Sequence, residues 1–121
     1  MKSILRKLKA LSDATRIKLL FMLTSRSLCV CEMTSVLGLA QPTVSRHLKQ
    51  LEDAGFVRSR REGPWTLYSI DPDDDRGRQM LELVISGLQS DSECQNLLGK
   101  LGKIDRRTIS GCGDLKRATV A

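Results

Sequence analysis

At 121 residues the chain is long enough for one domain with a single core and too short for two ordinary ones. Lys and Arg outnumber Asp and Glu by 20 to 14, a formal net charge of +6 that points to an anionic partner such as nucleic acid. The longest apolar run, Leu19 to Leu23, falls far short of the ~20 residues that cross a bilayer, and no secretory signal opens the chain, so a cytoplasmic protein without a membrane partner is expected.

Ile4, Leu5, Leu8 and Leu11 recur at helical spacing and predict a first helix. A second follows Asp13, with Ile17, Leu20, Phe21 and Leu23 apolar and Ser12 or Asp13 as its cap. A short third helix begins around Cys29 to Glu32 and stops at Gly38, a residue free to take the left-handed conformation that closes helices. The stretch from Gln41 to Ala54 has Pro42 in its first turn and Val44, Leu48 and Leu51 on one stripe, and it ends at Gly55. Two helices about three residues apart, the second amphipathic, make a helix-turn-helix candidate.

Phe56 to Arg61 and Trp65 to Ile70 read as two strands around the turn Glu62-Gly63-Pro64, a hairpin wing. Beyond an acidic run at 71–75, Met80, Leu81, Val84, Ile85 and Leu88 form a broad apolar stripe suited to burial in a dimer. Leu97, Leu98, Leu101 and Ile104 suggest one more helix, and residues 105–121 read as a flexible tail. The expected fold is mainly α (α+β), a winged helix-turn-helix of five to six helices with a two-stranded hairpin wing. DNA binding and dimerisation share one domain over residues 1–104.

On the second helix of the motif, the residues off the apolar stripe are Gln41, Thr43, Ser45, Arg46, Lys49 and Gln50. Gln suits adenine edges and Arg suits guanine edges, while short hydroxyls approach bases closely, so Gln41, Thr43, Ser45, Arg46 and Lys49 are candidate contacts to double-stranded DNA. Arg58, Arg60 and Arg61 place a basic cluster on the wing, with Arg60 and Arg61 assigned to phosphate or minor groove. His47, the only histidine, borders the buried stripe and fits a core-edge or phosphate-contacting role better than that of a metal ligand.

Cytoplasmic cysteines stay reduced, so the four here suit metal binding or redox sensing rather than a disulfide framework. Cys29 and Cys31 flank Val30 at the start of the third helix, the one that precedes the DNA-reading helix. Two residues apart on a regular helix are rotated by about 200° and face away from each other. A thiophilic ligand gripping both sulfurs would therefore distort the start of that helix, which gives a switch. Soft sulfur donors with almost no histidine favour arsenite, antimonite or a soft cation such as cadmium.

Leu28-Cys29-Val30-Cys31-Glu32-Met33, Gly38-Leu39-Ala40-Gln41-Pro42-Thr43-Val44-Ser45-Arg46-His47-Leu48 and Leu51-Glu52-Asp53-Ala54-Gly55-Phe56-Val57 resemble the arsenic-responsive repressors of the ArsR/SmtB family, as does Leu11-Ser12-Asp13-Ala14-Thr15-Arg16. The resemblance covers about residues 3 to 90. It implies a homodimeric repressor, paired through its first and fifth helices, that binds operator DNA when empty and dissociates on binding arsenite or antimonite, with no constitutive cofactor. Members with this motif often carry a third cysteine three residues after the second, where this chain has Thr34. The third ligand is then Cys94, Cys112 or a solvent thiol, or the site is two-coordinate. A regulatory disulfide among these cysteines is the alternative signal. An enzyme is not expected, because the chain has no C-x-x-C beside a βαβ unit and no cysteine with neighbouring His and Asp.

Overall fold

The computed structural model describes residues 1–107 and 109. The N-terminal half is helical: α1 spans Lys2–Leu11, α2 Ala14–Leu23, α3 Val30–Leu37 and α4 Gln41–Asp53, with a short strand, β1, at Leu28–Cys29 between α2 and α3. Strands β2, Val57–Glu62, and β3, Trp65–Ile70, form the hairpin, and α5, Asp75–Gly87, and α6, Ser92–Leu101, complete six helices among the described residues. The winged helix-turn-helix predicted from the sequence is the fold observed.

The sheet has three strands rather than the two expected. All its pairings are antiparallel, in the order β1-β3-β2, with Leu28 opposite Tyr68 and Cys29 opposite Leu67. Two residues are too few to show an alternating pattern, and β1 exists because β3 offers it an edge.

Asp13, not Ser12, caps α2, accepting a hydrogen bond from the Arg16 N–H at 3.0 Å. Gly38 closes α3 at φ 68°, and its N–H donates to the Thr34 carbonyl. Between α3 and α4 lie only Gly38, Leu39 and Ala40, a turn short enough to seat the two helices against each other. Leu19, Leu20, Met22 and Leu23 of α2, Met33 and Val36 of α3, the Val44/Leu48/Leu51 stripe of α4, and Phe56 form one buried cluster.

Helix α1 departs from its predicted pattern. Leu5 and Leu8 are each 50% exposed, while Lys7 is buried. Its ammonium donates to the Ala54 carbonyl at 2.8 Å and to the Asp73 carboxylate at 2.9 Å, and it stands 5.8 Å from the centre of the Phe56 ring. Burial of this charge is tolerable because its partners converge on it. The acidic run is spent on structure too: Asp71 pairs with Arg58, Asp74 caps α5 through the Gly77 N–H, and Asp75 pairs with Arg78.

On α5 and its C-cap Leu88, Leu81 is buried, Met80, Val84, Ile85 and Leu88 are half-buried, and Leu83 is 75% exposed. The tail predicted from residue 105 is engaged at its start, where Arg106 reaches back to α3 and β3. Residues 108 and 110–121, Cys112 among them, lie outside the described residues. Among the described residues no helix is long and apolar enough to cross a membrane.

Candidate nucleic-acid interface and sulfur pair

The α4 helix presents the polar face its sequence promised. Val44, Leu48 and Leu51 are buried, Arg46 and Lys49 are exposed, and Gln41, Thr43 and Ser45 are half-exposed along the first turns. Lys49 pairs with Asp53 one turn on, at 3.2 Å. Gln50 has a different duty. Arg16 donates to its side-chain oxygen, to Nδ1 of His47 at 3.1 Å, and to the Lys9 and Ala10 carbonyls. One guanidinium thus binds the end of α1 and the start of α2 to the outer flank of α4, which fixes the pose of that helix. His47 is the core-edge residue expected.

On the wing, Arg58 and Arg60 share one face of β2, and the strand's alternation turns Arg61 to the other. Arg60 donates to Ser69 and pairs with Glu62, while Arg61 donates to Thr66 across the hairpin. All three are exposed. Ser59 ties β2 to α4 by donating to Glu52 at 3.0 Å.

The sulfur geometry differs from the helical expectation. Cys29 is not a helical residue: it ends β1 with extended backbone, φ −88° and ψ 163°, and serves as the N-cap of α3. Only Cys31 lies within the helix. Because the chain turns between them, the two side chains converge instead of opposing, and their Sγ atoms stand 2.7 Å apart. The two sulfurs thus stand on one side of the β1–α3 junction, Cys29 as a free thiol and Cys31 in a disulfide bond.

Burial pushes the Cys29 thiol up to about 11, helped by the neighbouring Glu32 carboxylate, although the Glu32 N–H works against it. Cys29 is therefore protonated at neutral pH. Thr34 donates its hydroxyl to the Cys31 carbonyl. Cys94 is buried at the start of α6, where its N–H donates to Asp91 and burial raises its thiol. Among the described residues no three His, Cys, Asp or Glu side chains come close enough to share a metal ion, so Cys94 does not complete a set with Cys29 and Cys31.

Sequence reasoning missed Glu32. It is 1% exposed, accepts from the Cys29 N–H at 3.0 Å, and takes ion pairs from Arg26 at 2.7 Å and Arg106 at 3.5 Å. The spacing from Cys29 to Glu32 is that of a capping box, with cysteine in the place usually held by Ser or Thr, and that substitution hid the signal. Arg106 also lies over the Trp65 ring, 5.2 Å from its centre. No residue between Arg26 and Arg106 in sequence hints that the two share a carboxylate.

Residues 13–59 match the bacterial regulatory protein, arsR family. The chain is 44% identical over 66 residues to the arsenic resistance transcriptional regulator ArsR1 of Pseudomonas putida, covering 54% of this chain and 52% of that one. It thus spans about half the length of that relative. An uncharacterised helix-turn-helix transcriptional regulator of Methanocaldococcus jannaschii is 43% identical over 77 residues, covering 63% of this chain and 84% of that one. Among solved structures, the homodimeric winged helix-turn-helix DNA-binding domain of a possible ArsR-family regulator from Mycobacterium bovis superposes with a TM-score of 0.62 at 27% identity, covering 71% of this chain and 78% of that one.

Proposed function

The chain belongs to the ArsR family of bacterial regulatory proteins, and from that premise we propose that it is a repressor which grips operator DNA as a homodimer and releases it when arsenite or antimonite binds Cys29 and Cys31. The observation that carries this reading is the convergence of two sulfurs at the junction of β1 and α3. That junction touches both DNA-facing elements, since β1 is hydrogen-bonded to the wing strand β3 and α3 packs on α4. A centre seated on the two sulfurs acts on reading helix and wing together. A relative named for arsenic resistance supports the choice of ligand, as does the preference of soft metalloids for sulfur. Its third position is filled by Cys112 or by a solvent thiol or hydroxide.

In this reading Gln41 and Arg46 read base edges, Thr43 and Ser45 approach them closely, and Lys49, Arg60 and Arg61 hold phosphates. A two-fold dimer, the state of the Mycobacterium bovis relative, calls for an imperfect palindrome with half-sites about one helical turn apart.

The test is a gel-shift titration on DNA upstream of the protein's own gene, with arsenite, antimonite, cadmium and zinc in parallel. Release by the metalloids that disappears in Cys29→Ser and Cys31→Ser, at a coupling of ~1–3 kcal/mol, is expected. Release by an oxidant alone would make the pair a redox sensor. Release by cadmium alone would change the ligand but keep the site, and release that survives the double Ser variant would move the sensor elsewhere.

A further inference from the structure

We propose that Arg106 and Trp65 are positioning residues that carry the state of the Cys29/Cys31 pair to the wing, through the buried carboxylate of Glu32. The inference rests on the inducer reading above and adds the path by which the wing responds. Four groups form an unbroken chain. The Cys29 N–H donates to Glu32, Glu32 is paired with Arg26 and Arg106, and Arg106 stacks on Trp65, the first residue of the wing's inner strand. The segment after α6 therefore works as a strap from the sulfur-bearing junction to the hairpin.

Three observations make the strap a switch and not mere packing. First, Glu32 is almost fully buried, so its charge depends on these particular donors and cannot shed one without rearranging toward another. Second, Cys29 is the joint between the sulfur pair and the strap, since it both ends β1 and caps α3. Cys29, pinned to Glu32 by its N–H and to Leu67 by strand pairing, cannot move without disturbing both. Third, the indole N–H of Trp65 is buried without a hydrogen-bond acceptor, so the present posture of the wing leaves a polar group unsatisfied. Beside the strap, a cleft of about 480 Å³ bordered by Arg26, Trp65, Ile104 and Arg107 leaves Arg106 room to swing out.

The experiment uses the full-length protein, a labelled operator and arsenite as the probe. Trp65 is the sole tryptophan, so its emission reports the strap directly. In the wild type, arsenite is expected to shift that emission and weaken operator binding together. Arg106→Gln should take up arsenite with unchanged stoichiometry, followed by the absorbance of the sulfur–arsenic bond, yet its release factor should fall by about 2- to 30-fold. Trp65→Phe, which keeps a ring under Arg106 but weakens the cation contact, should lose part of that factor. An Arg106→Gln protein that releases operator as fully as the wild type would overturn the proposal, as would wild-type emission that arsenite leaves unmoved. A wild type that never releases operator would instead sink the inducer reading on which the strap depends.

Discussion

Cys29 holds its proton because it is buried beside a carboxylate, and that has a consequence for stability. Its pKa rises from the ordinary 9.0 to about 11, so the folded state binds the proton more tightly than the unfolded chain does. The resulting stabilisation is fully present below pH 9 and is lost as pH climbs through 11, an effect of about 2–3 kcal/mol at most. Urea midpoints should fall across that window in the wild type and stay flatter in Cys29→Ser, whatever the variant's absolute stability. Equal slopes would mean that Cys29 is not the group responsible. The same proton separates ligand classes. The neutral Cys29 thiol meeting arsenous acid passes its proton to a departing hydroxide, which leaves as water, so that step leaves the net proton count unchanged. Cadmium brings no hydroxide and must expel that proton, so its affinity should rise by up to ~10-fold per pH unit between pH 6 and 8 while arsenite affinity stays nearly flat. Parallel ultraviolet titrations of the sulfur–metal bond would decide it.

The elements around α4 depend on two glycines with different burdens. Gly38 has φ 68° with open space where a Cβ would go, so Gly38→Ala should cost only the left-handed penalty, ~1–2 kcal/mol. Gly55 has φ 84°, and a Cβ there would run into the Asp73 carboxylate that holds Lys7, so Gly55→Ala should cost more and loosen α1 as well. Thermal melts with hydrogen exchange at α1 would rank them. Helices of this size were legible because Val44, Leu48 and Leu51 repeat with the period of the helix itself. Strand β1 was not, since its two residues owe their shape to Tyr68 and Leu67, some forty positions away. That miss reached the site. Reading Cys29 as helical set the two sulfurs on opposite sides, whereas its place as an extended N-cap brings them together. The polar face of α4 could be read residue by residue, but Gln50 could not be told from its neighbours until Arg16 was seen to hold it.

For the whole molecule, the exposed leucines are the unfinished part of the structure. Leu5 and Leu8 on α1 and Leu83 on α5 are the large apolar side chains that two copies would cover, and each is worth ~1.5–3 kcal/mol when fully buried. Leu8→Glu combined with Leu83→Glu should yield a folded monomer by sedimentation, with far weaker operator binding, because one reading helix then replaces two. A double variant that remains dimeric would place the interface elsewhere. Lys7 links this surface to the order in which the chain is made. The helix that bears Leu5 and Leu8 is seated by a contact spanning 66 residues, from Lys7 to Asp73, with its other anchor at Ala54. On the ribosome, α1 can meet α2 and Ala54 early, but its Asp73 contact forms only after the hairpin and the turn beyond it have emerged. A prematurely terminated chain that lacks the wing also lacks the Asp73 anchor, so the helix bearing Leu5 and Leu8 is held there by fewer contacts than in the whole protein.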